Sequence, residues 1–262
     1  MITFAPDSPT VARVQPSPNH GPRKGAGRPD MIVLHYTGLA NAAAALDMLC
    51  SPESELSAHY LVLEDGAIVQ CVAEAERAWH AGVSAWAGDT DINSCSIGIE
   101  IANPGHELGY PDFPERQIES VIALCRDIIR RHPIPSHRIL AHSDVAPGRK
   151  KDPGEKFPWR ALHACGVGLW VDPEPITEDE SRLDLGRRGE AVMRLQRALA
   201  DYGYGIAASG LYDIPTTEVV LAFQRHFRPA RIDGIADVST IKTLEALLAR
   251  RPHAEVPEGG GT

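Results

Sequence analysis

Residues 31–36, MIVLHY, form an apolar run of strand length rich in branched side chains, which predicts a buried strand with His35 near its carboxyl end. Past Thr37 and Gly38, an Ala-rich stretch running to Leu49 reads as a helix. HYLVLEDGAIVQCV then sets two apolar runs about Asp65 and Gly66, a hairpin signal. Residues 96–103, SIGIEIAN, alternate cleanly: Ile97, Ile99 and Ile101 share one face, and Ser96, Gly98, Glu100 and Ala102 share the other. Between Pro114 and Arg131, Ile118, Val121, Ile122, Cys125, Ile128 and Ile129 recur at helical spacing, and RILAH supplies a last short strand that delivers His142. Strands mixed with long amphipathic helices predict an α/β domain over residues 31–170, a central mixed β-sheet flanked by helices. Residues 1–30 show no such period and read as an irregular segment.

After residue 170 the pattern changes. VDPEPITEDES, residues 171–181, is acidic and contains proline with little to bury, so it reads as a linker. Residues 182–251 predict a small three-helix C-terminal domain with two related halves. GLYDIPT (210–216) and GIADVST (234–240) repeat one pattern of Gly, apolar residue, Asp and Thr, and each opens a helix. The tail, residues 252–262, ends in Gly-Gly-Gly-Thr and is expected to be disordered.

A length of 262 residues suits about two domains. The net charge of −9 argues against a general nucleic-acid binder, and no run of about 18 apolar residues could span a bilayer. The N-terminus lacks the basic-then-apolar order of a secretory signal, which points to a cytoplasmic protein. A cleaved leader, or release by lysis, would leave a periplasmic or wall-associated protein with the same sequence. The five cysteines are odd in number and form no CxxC pair, so they read as buried free thiols.

Two features carry chemistry. Glu100 lies opposite the isoleucine face between the small residues Gly98 and Ala102, with open space above it. That arrangement suits a carboxylate reaching substrate, but from this strand alone the solvated polar face of an antiparallel sheet is the better reading. HSDVAPGRKKDPGEKFPW, starting at His142, holds Pro147, Gly148, Pro153 and Gly154 and must be a shaped loop. His142 and Asp152, ten residues apart, could fold back to join His35 on one ion. Zinc accepts imidazole and carboxylate, and a catalytic zinc takes three protein ligands. On spacing alone a packed or hydrogen-bonded histidine at a strand end is the better reading and the metal site the minority one, with eleven histidines in competition.

VLHYTG, SAHYLVLEDGAIVQ, RAWHAGVS, NSCSIGIEIAN and AHSDVAPGRKKDPGEKFPW occur in that order over about residues 31–160. This series resembles the N-acetylmuramoyl-L-alanine amidases, in the family that also includes phage lysozyme-like amidases and peptidoglycan recognition proteins. The resemblance implies a zinc amidohydrolase that cuts the amide between N-acetylmuramic acid, or its anhydro form, and L-alanine of the peptidoglycan stem peptide. It places the Zn2+ ligands on His35, His142 and Asp152, the general base on Glu100 and the catalytic lysine on Lys150, with Lys151 the neighbouring alternative. His59, Trp79 and His80 would line the substrate cleft. Some relatives carry a catalytic tyrosine where this chain has Ala58, which leaves the base role to Glu100, as in the bacterial muramyl-peptide amidases. About residues 183–250 resemble three-helix peptidoglycan-binding domains, so the implied partners are peptidoglycan or muramyl peptides. The rival reading is a non-catalytic peptidoglycan-recognition protein; it is disfavoured by the full ligand set together with Glu100 and Lys150. A zinc peptidase acting within the stem peptide would not share this block order.

Overall fold

The computed structural model describes residues 4–25, 27–177 and 182–251. Its strands are β1 (Arg13–Val14), β2 (His20–Pro22), β3 (Met31–Tyr36), β4 (Tyr60–Val62), β5 (Ile68–Gln70), β6 (Glu76–Ala78), β7 (Ser96–Ile101) and β8 (Ile139–Ala141). Its helices are α1 (Ala42–Cys50), α2 (Ile92–Cys95), α3 (Glu115–Arg131), α4 (His142–Val145), α5 (Trp159–Ala164), α6 (Glu190–Tyr202), α7 (Ile214–Phe227) and α8 (Val238–Arg250).

Six strands make the main sheet in the order β1-β5-β4-β7-β3-β8. Only the β4–β5 hairpin is antiparallel, so the sheet is mixed. β3 runs parallel to a neighbour on each side, and helices cover both faces, which is why MIVL is apolar at every position and fully buried. Ile97, Ile99 and Ile101 pack with the apolar stripe of α3 on one face. Leu61 and Val69 meet Ala45, Leu46 and Leu49 of α1 on the other. The parallel strands β3, β7 and β8 therefore end together at one edge of the sheet, where open α/β sheets place ligands. His35 and Glu100 lie at the ends of β3 and β7, and His142 follows β8 directly.

The N-terminal segment departs from the irregular reading. β1 adds to the sheet edge beside β5, and β2 pairs with β6 in a second, two-stranded sheet. The Arg23 guanidinium donates to the carbonyls of Glu74, Ser94 and Ser96. Strands of two or three residues are held by main-chain bonds and need no apolar alternation to announce them. The cysteine reading also needs correction. All five are free thiols, but only Cys71 and Cys125 are buried, and Cys165 is exposed.

The C-terminal domain shows what its repeat is for. Asp213 and Asp237 cap α7 and α8, accepting the backbone N–H of Thr216 and Thr240. Two buried glutamines, Gln196 on α6 and Gln224 on α7, each span the turn that follows. Gln196 accepts from Gly210 N–H and donates to Leu211 O; Gln224 accepts from Gly234 N–H and donates to Ile235 O. The segment read as a linker is partly pinned, since Val171 is buried and Glu174 bonds Thr243 and Ser239 of α8. The tail at residues 252–262 lies outside the described residues. No described helix is long and apolar enough to cross a membrane.

The two domains share a polar and aromatic interface. The fully buried Asp144 carboxylate on α4 accepts from Ala141 N–H (2.8 Å), from Tyr204 O–H (2.8 Å) and from His226 Nδ1–H (2.6 Å). The His226 ring stacks on Trp159 at 3.7 Å between centroids. Trp86 packs edge-on against Tyr202 and Tyr204, in space left by Gly203, whose φ of +141° no side chain favours. Arg225 faces Glu155 at 3.5 Å, and Glu155 in turn accepts from His106. α7 thus grips the loop between His142 and Trp159.

Removing either donor leaves a buried carboxylate short of a partner, so Tyr204→Phe and His226→Leu should each lower unfolding free energy by about 1–3 kcal/mol in urea titration; values unchanged within error would show the interface to be loose. The bond from His106 pulls Glu155 down to about 2 against the opposing effect of burial. A depressed carboxyl contributes stability above its unfolded value and loses it as pH falls through the folded one. Glu155→Gln should therefore flatten the acid dependence of unfolding between about pH 4.5 and 2, measured by melting temperature across that range.

Candidate active site

His35 Nδ1, His142 Nδ1 and Asp152 Oδ2 form a near-equilateral triangle with sides of 2.9, 2.9 and 3.0 Å. All three residues are buried, and among the described residues they are the one group placed to hold a metal ion. The strand ends supply the two imidazoles. The loop returns Asp152 to them because Ser143 N–H donates to the Asp152 carbonyl at 3.0 Å, closing the ten-residue excursion the Pro-Gly turns permit.

The outer nitrogens fix which lone pairs face inward. His142 Nε2 lies 3.0 Å from the carbonyl oxygen of Ala81 and 3.3 Å from the Arg149 guanidinium, which itself donates to Ala81 O; the closer acceptor takes the Nε2 proton and leaves Nδ1 bare. The same logic runs through four groups at His35. Ser96 O–H donates to Ile92 O at 2.5 Å, so Ser96 Oγ accepts from His80 Nε2–H at 3.2 Å. His80 Nδ1 then accepts from His35 Nε2–H at 3.0 Å, which leaves His35 Nδ1 bare. Burial and the neighbouring His142 ring pull His35 down to about 4, so its ring is neutral near neutrality. Burial alone would push Asp152 up; positive charge inside the triangle, on a ring or on a bound cation, holds the carboxyl well below its usual range. Two bare nitrogens and an ionised carboxylate oxygen facing one point are the donor set of a divalent cation, with the outer ring N–H groups committed as such sites require.

Glu100 sits beside this triangle because β3 and β7 pair His35 with Glu100 in register, on one face. Its Oε2 is buried without a hydrogen-bond partner. Burial, then the Asp152 charge, push its carboxyl well above the usual range, and the Lys150 ammonium opposes them. Lys150 and Lys151 both reach the cavity wall, and Lys150 is the one whose charge bears on Glu100. These groups share a cavity of about 350 Å³.

The three residues expected to line the cleft divide. Trp79 is half-buried in the cavity wall. His80 lines the cavity as expected, and its two nitrogens are bonded to His35 and Ser96, so it also orients His35. His59 does not line the cavity. Its Nδ1 accepts from Gly98 N–H at 3.0 Å and its Nε2 faces the Glu76 carbonyl, which makes it a framework residue. Of the small residues expected to leave space around Glu100, Gly98 is covered, since a Cβ there would run into the His80 ring. Sequence reasoning missed Tyr36, Met48, Leu56 and Arg149 in the wall. Arg149 braces the metal loop by donating to Val83 O at 2.7 Å. A loop arginine among three basic residues carries no spacing that marks it for this.

Residues 25–155 match the family model for N-acetylmuramoyl-L-alanine amidase, and residues 188–244 match that for a peptidoglycan binding domain. N-acetylmuramoyl-L-alanine amidase AmiD of Escherichia coli K12 is 36% identical, over 84% of this chain and 82% of that protein. Its structure in complex with the substrate anhydro-N-acetylmuramic acid-L-Ala-D-γ-Glu-L-Lys aligns with a TM-score of 0.70 at 35% identity, covering 87% of this chain and 92% of that one. AmpDh3 of Pseudomonas aeruginosa, in complex with anhydromuramic pentapeptide, aligns at 0.70 and 31% identity, covering 94% of this chain and 98% of that one. The chain belongs to the N-acetylmuramoyl-L-alanine amidase family. It is an N-acetylmuramoyl-L-alanine amidase with a peptidoglycan-binding domain at its carboxyl end.

Gly98→Ala should displace the His80 ring and, through it, His35. Outer partners of metal ligands are worth about 10–100-fold in affinity, so zinc affinity measured against a chromophoric chelator should fall by that order. Unchanged affinity would separate the relay from the metal site.

Proposed function

We propose that this chain hydrolyses the amide between the lactyl group of anhydro-N-acetylmuramic acid and L-alanine of the stem peptide, with zinc held by His35, His142 and Asp152. The unpartnered, buried Glu100 oxygen beside the triangle carries this reading, because a group placed there at the expense of desolvation suits proton transfer and serves no structural bond. The anhydro form is favoured by the two relatives whose complexes hold anhydromuramyl peptides.

When bound, zinc supplies Lewis acidity to the scissile carbonyl and to the attacking water. Glu100 accepts the proton of that water and passes it to the alanine nitrogen as the C–N bond breaks, a task matched by its raised proton affinity. Lys150 donates to the carbonyl oxygen as negative charge gathers there. Trp79, Met48 and Leu56 offer an apolar wall to the sugar and the alanine methyl, and Lys151 adds positive charge at the rim for the peptide carboxylates. The paired presence of Glu100 and Lys150 in one cavity favours catalysis over recognition without cleavage.

Glu100→Gln keeps the shape and removes the base. It should lower kcat on a soluble anhydromuramyl tripeptide by about 10²–10⁴-fold while one zinc per chain is retained, followed by release of free peptide. A variant with full activity removes Glu100 from the base role, and zinc-loaded parent protein that leaves the substrate intact overturns the hydrolase reading.

A further inference from the structure

The C-terminal domain carries a second cavity, of about 590 Å³, between α6, α8 and the segment leading into α6. Its floor includes Leu195 and Leu244, and four arginines stand around it: Arg182, Arg187, Arg188 and Arg194. All four are exposed in a chain whose net charge is −9. Arg182 and Arg187 share the single carboxylate of Asp184 at 3.7 and 3.5 Å. Arg188 and Arg194 have no carboxylate partner among the described residues. The catalytic domain is gripped by α7 and by Tyr202 and Tyr204 at the carboxyl end of α6, none of which lines this cavity, so it stays open while the interface is made.

The lining contains no aromatic side chain. Sugar rings are held in protein sites largely by stacking on aromatic faces, and this cavity offers none. It offers guanidinium groups, which pair bidentately with carboxylates, over an aliphatic floor that suits small methyl side chains. A stem peptide has that chemistry: a γ-linked glutamate keeps its α-carboxylate free, the chain ends in another carboxylate, and alanine brings a methyl. Glu245, the one carboxylate in the lining among the described residues, can accept an ammonium group of the same peptide.

We propose that this arginine-rimmed cavity is where the C-terminal domain holds the wall, and that it binds the anionic stem peptide instead of the glycan strand. The proposal rests on the reading of the domain as a peptidoglycan binder and deepens it. Occupied together with the catalytic cavity, it lets one stem peptide anchor the chain while another is cut, raising local substrate concentration on a polymer.

The test uses ¹⁵N-labelled full-length protein freed of metal with chelator, titrated with free stem tripeptide and, separately, with peptide-free glycan strands. The tripeptide should shift the amides of Arg188, Arg194 and Leu195, weakening as salt is raised from 50 to about 300 mM because screening acts on exposed pairs. Arg188→Glu/Arg194→Glu should raise the dissociation constant at these amides at least tenfold. Arg197→Glu/Lys242→Glu, two exposed side chains outside the cavity lining, makes the same change in net charge and should leave that constant within twofold. Glycan that shifts these amides when tripeptide does not, tripeptide that shifts only cleft residues, or a double variant that binds like the parent would each overturn the proposal. Hydrolysis of anhydromuramyl tripeptide by the zinc-loaded parent is measured in parallel. Activity there with no shifts at the arginine cavity defeats this inference alone, and no activity defeats the hydrolase reading instead.

Discussion

Two imidazole lone pairs and a carboxylate oxygen are forced to within 3.0 Å of one another in a buried site, and everything around them serves that convergence. Neutral rings presenting bare nitrogens to an anion at this distance repel unless a cation or a proton sits between them. The protein closes the alternatives at the far side of each ring. Ala81 O holds the outer proton of His142, and the chain Ile92–Ser96–His80 holds that of His35. Rotating or flipping either imidazole would strand a buried N–H or put two donors together, at about 1–3 kcal/mol each. The site is therefore ordered for a metal before one arrives.

The sheet makes the convergence possible. Three parallel strands with in-register neighbours end at one edge, so a His, a Glu and a second His appear within a few ångströms although they are 65 and 42 residues apart in sequence. Glycine at position 98 admits the His80 ring above β7. The loop bearing Asp152 is held from outside by α7, whose adjacent residues Arg225 and His226 reach Glu155 and Asp144. The carboxyl-terminal domain is thus a brace for the catalytic loop on one side and an open, basic surface on the other, a division of labour between α7 and the α6–α8 face.

Where a side chain's surroundings are local, the chain announces them. The apolar run of β3, the alternation of β7, the period of α3 and the Asp-x-x-Thr caps of α7 and α8 all follow from neighbours a few positions away, and all are found where the pattern puts them. The triangle was legible through the ordered family blocks, since nothing in the spacing of His35, His142 and Asp152 distinguishes them from nine other histidines and many carboxylates. His59 was misread as a cleft residue, and the hold of His80 on His35 was missed, because their partners, His35, Ser96 and Gly98, lie on other elements and a hydrogen bond leaves no mark on spacing. β1, β2 and the buried Asp144 bonds to Tyr204 and His226 were invisible for the same reason: short edge strands and contacts between domains depend on the assembled fold.

X-ray absorption at the zinc edge on the full-length protein, reconstituted with one equivalent of zinc, tests the convergence most directly. The account requires one bound zinc with two imidazole nitrogens at about 2.0–2.1 Å and light oxygen scatterers completing four-coordination, and loss of that signature in Asp152→Ala at the same zinc concentration. A spectrum without imidazole scattering, or one that Asp152→Ala leaves unchanged, would contradict it.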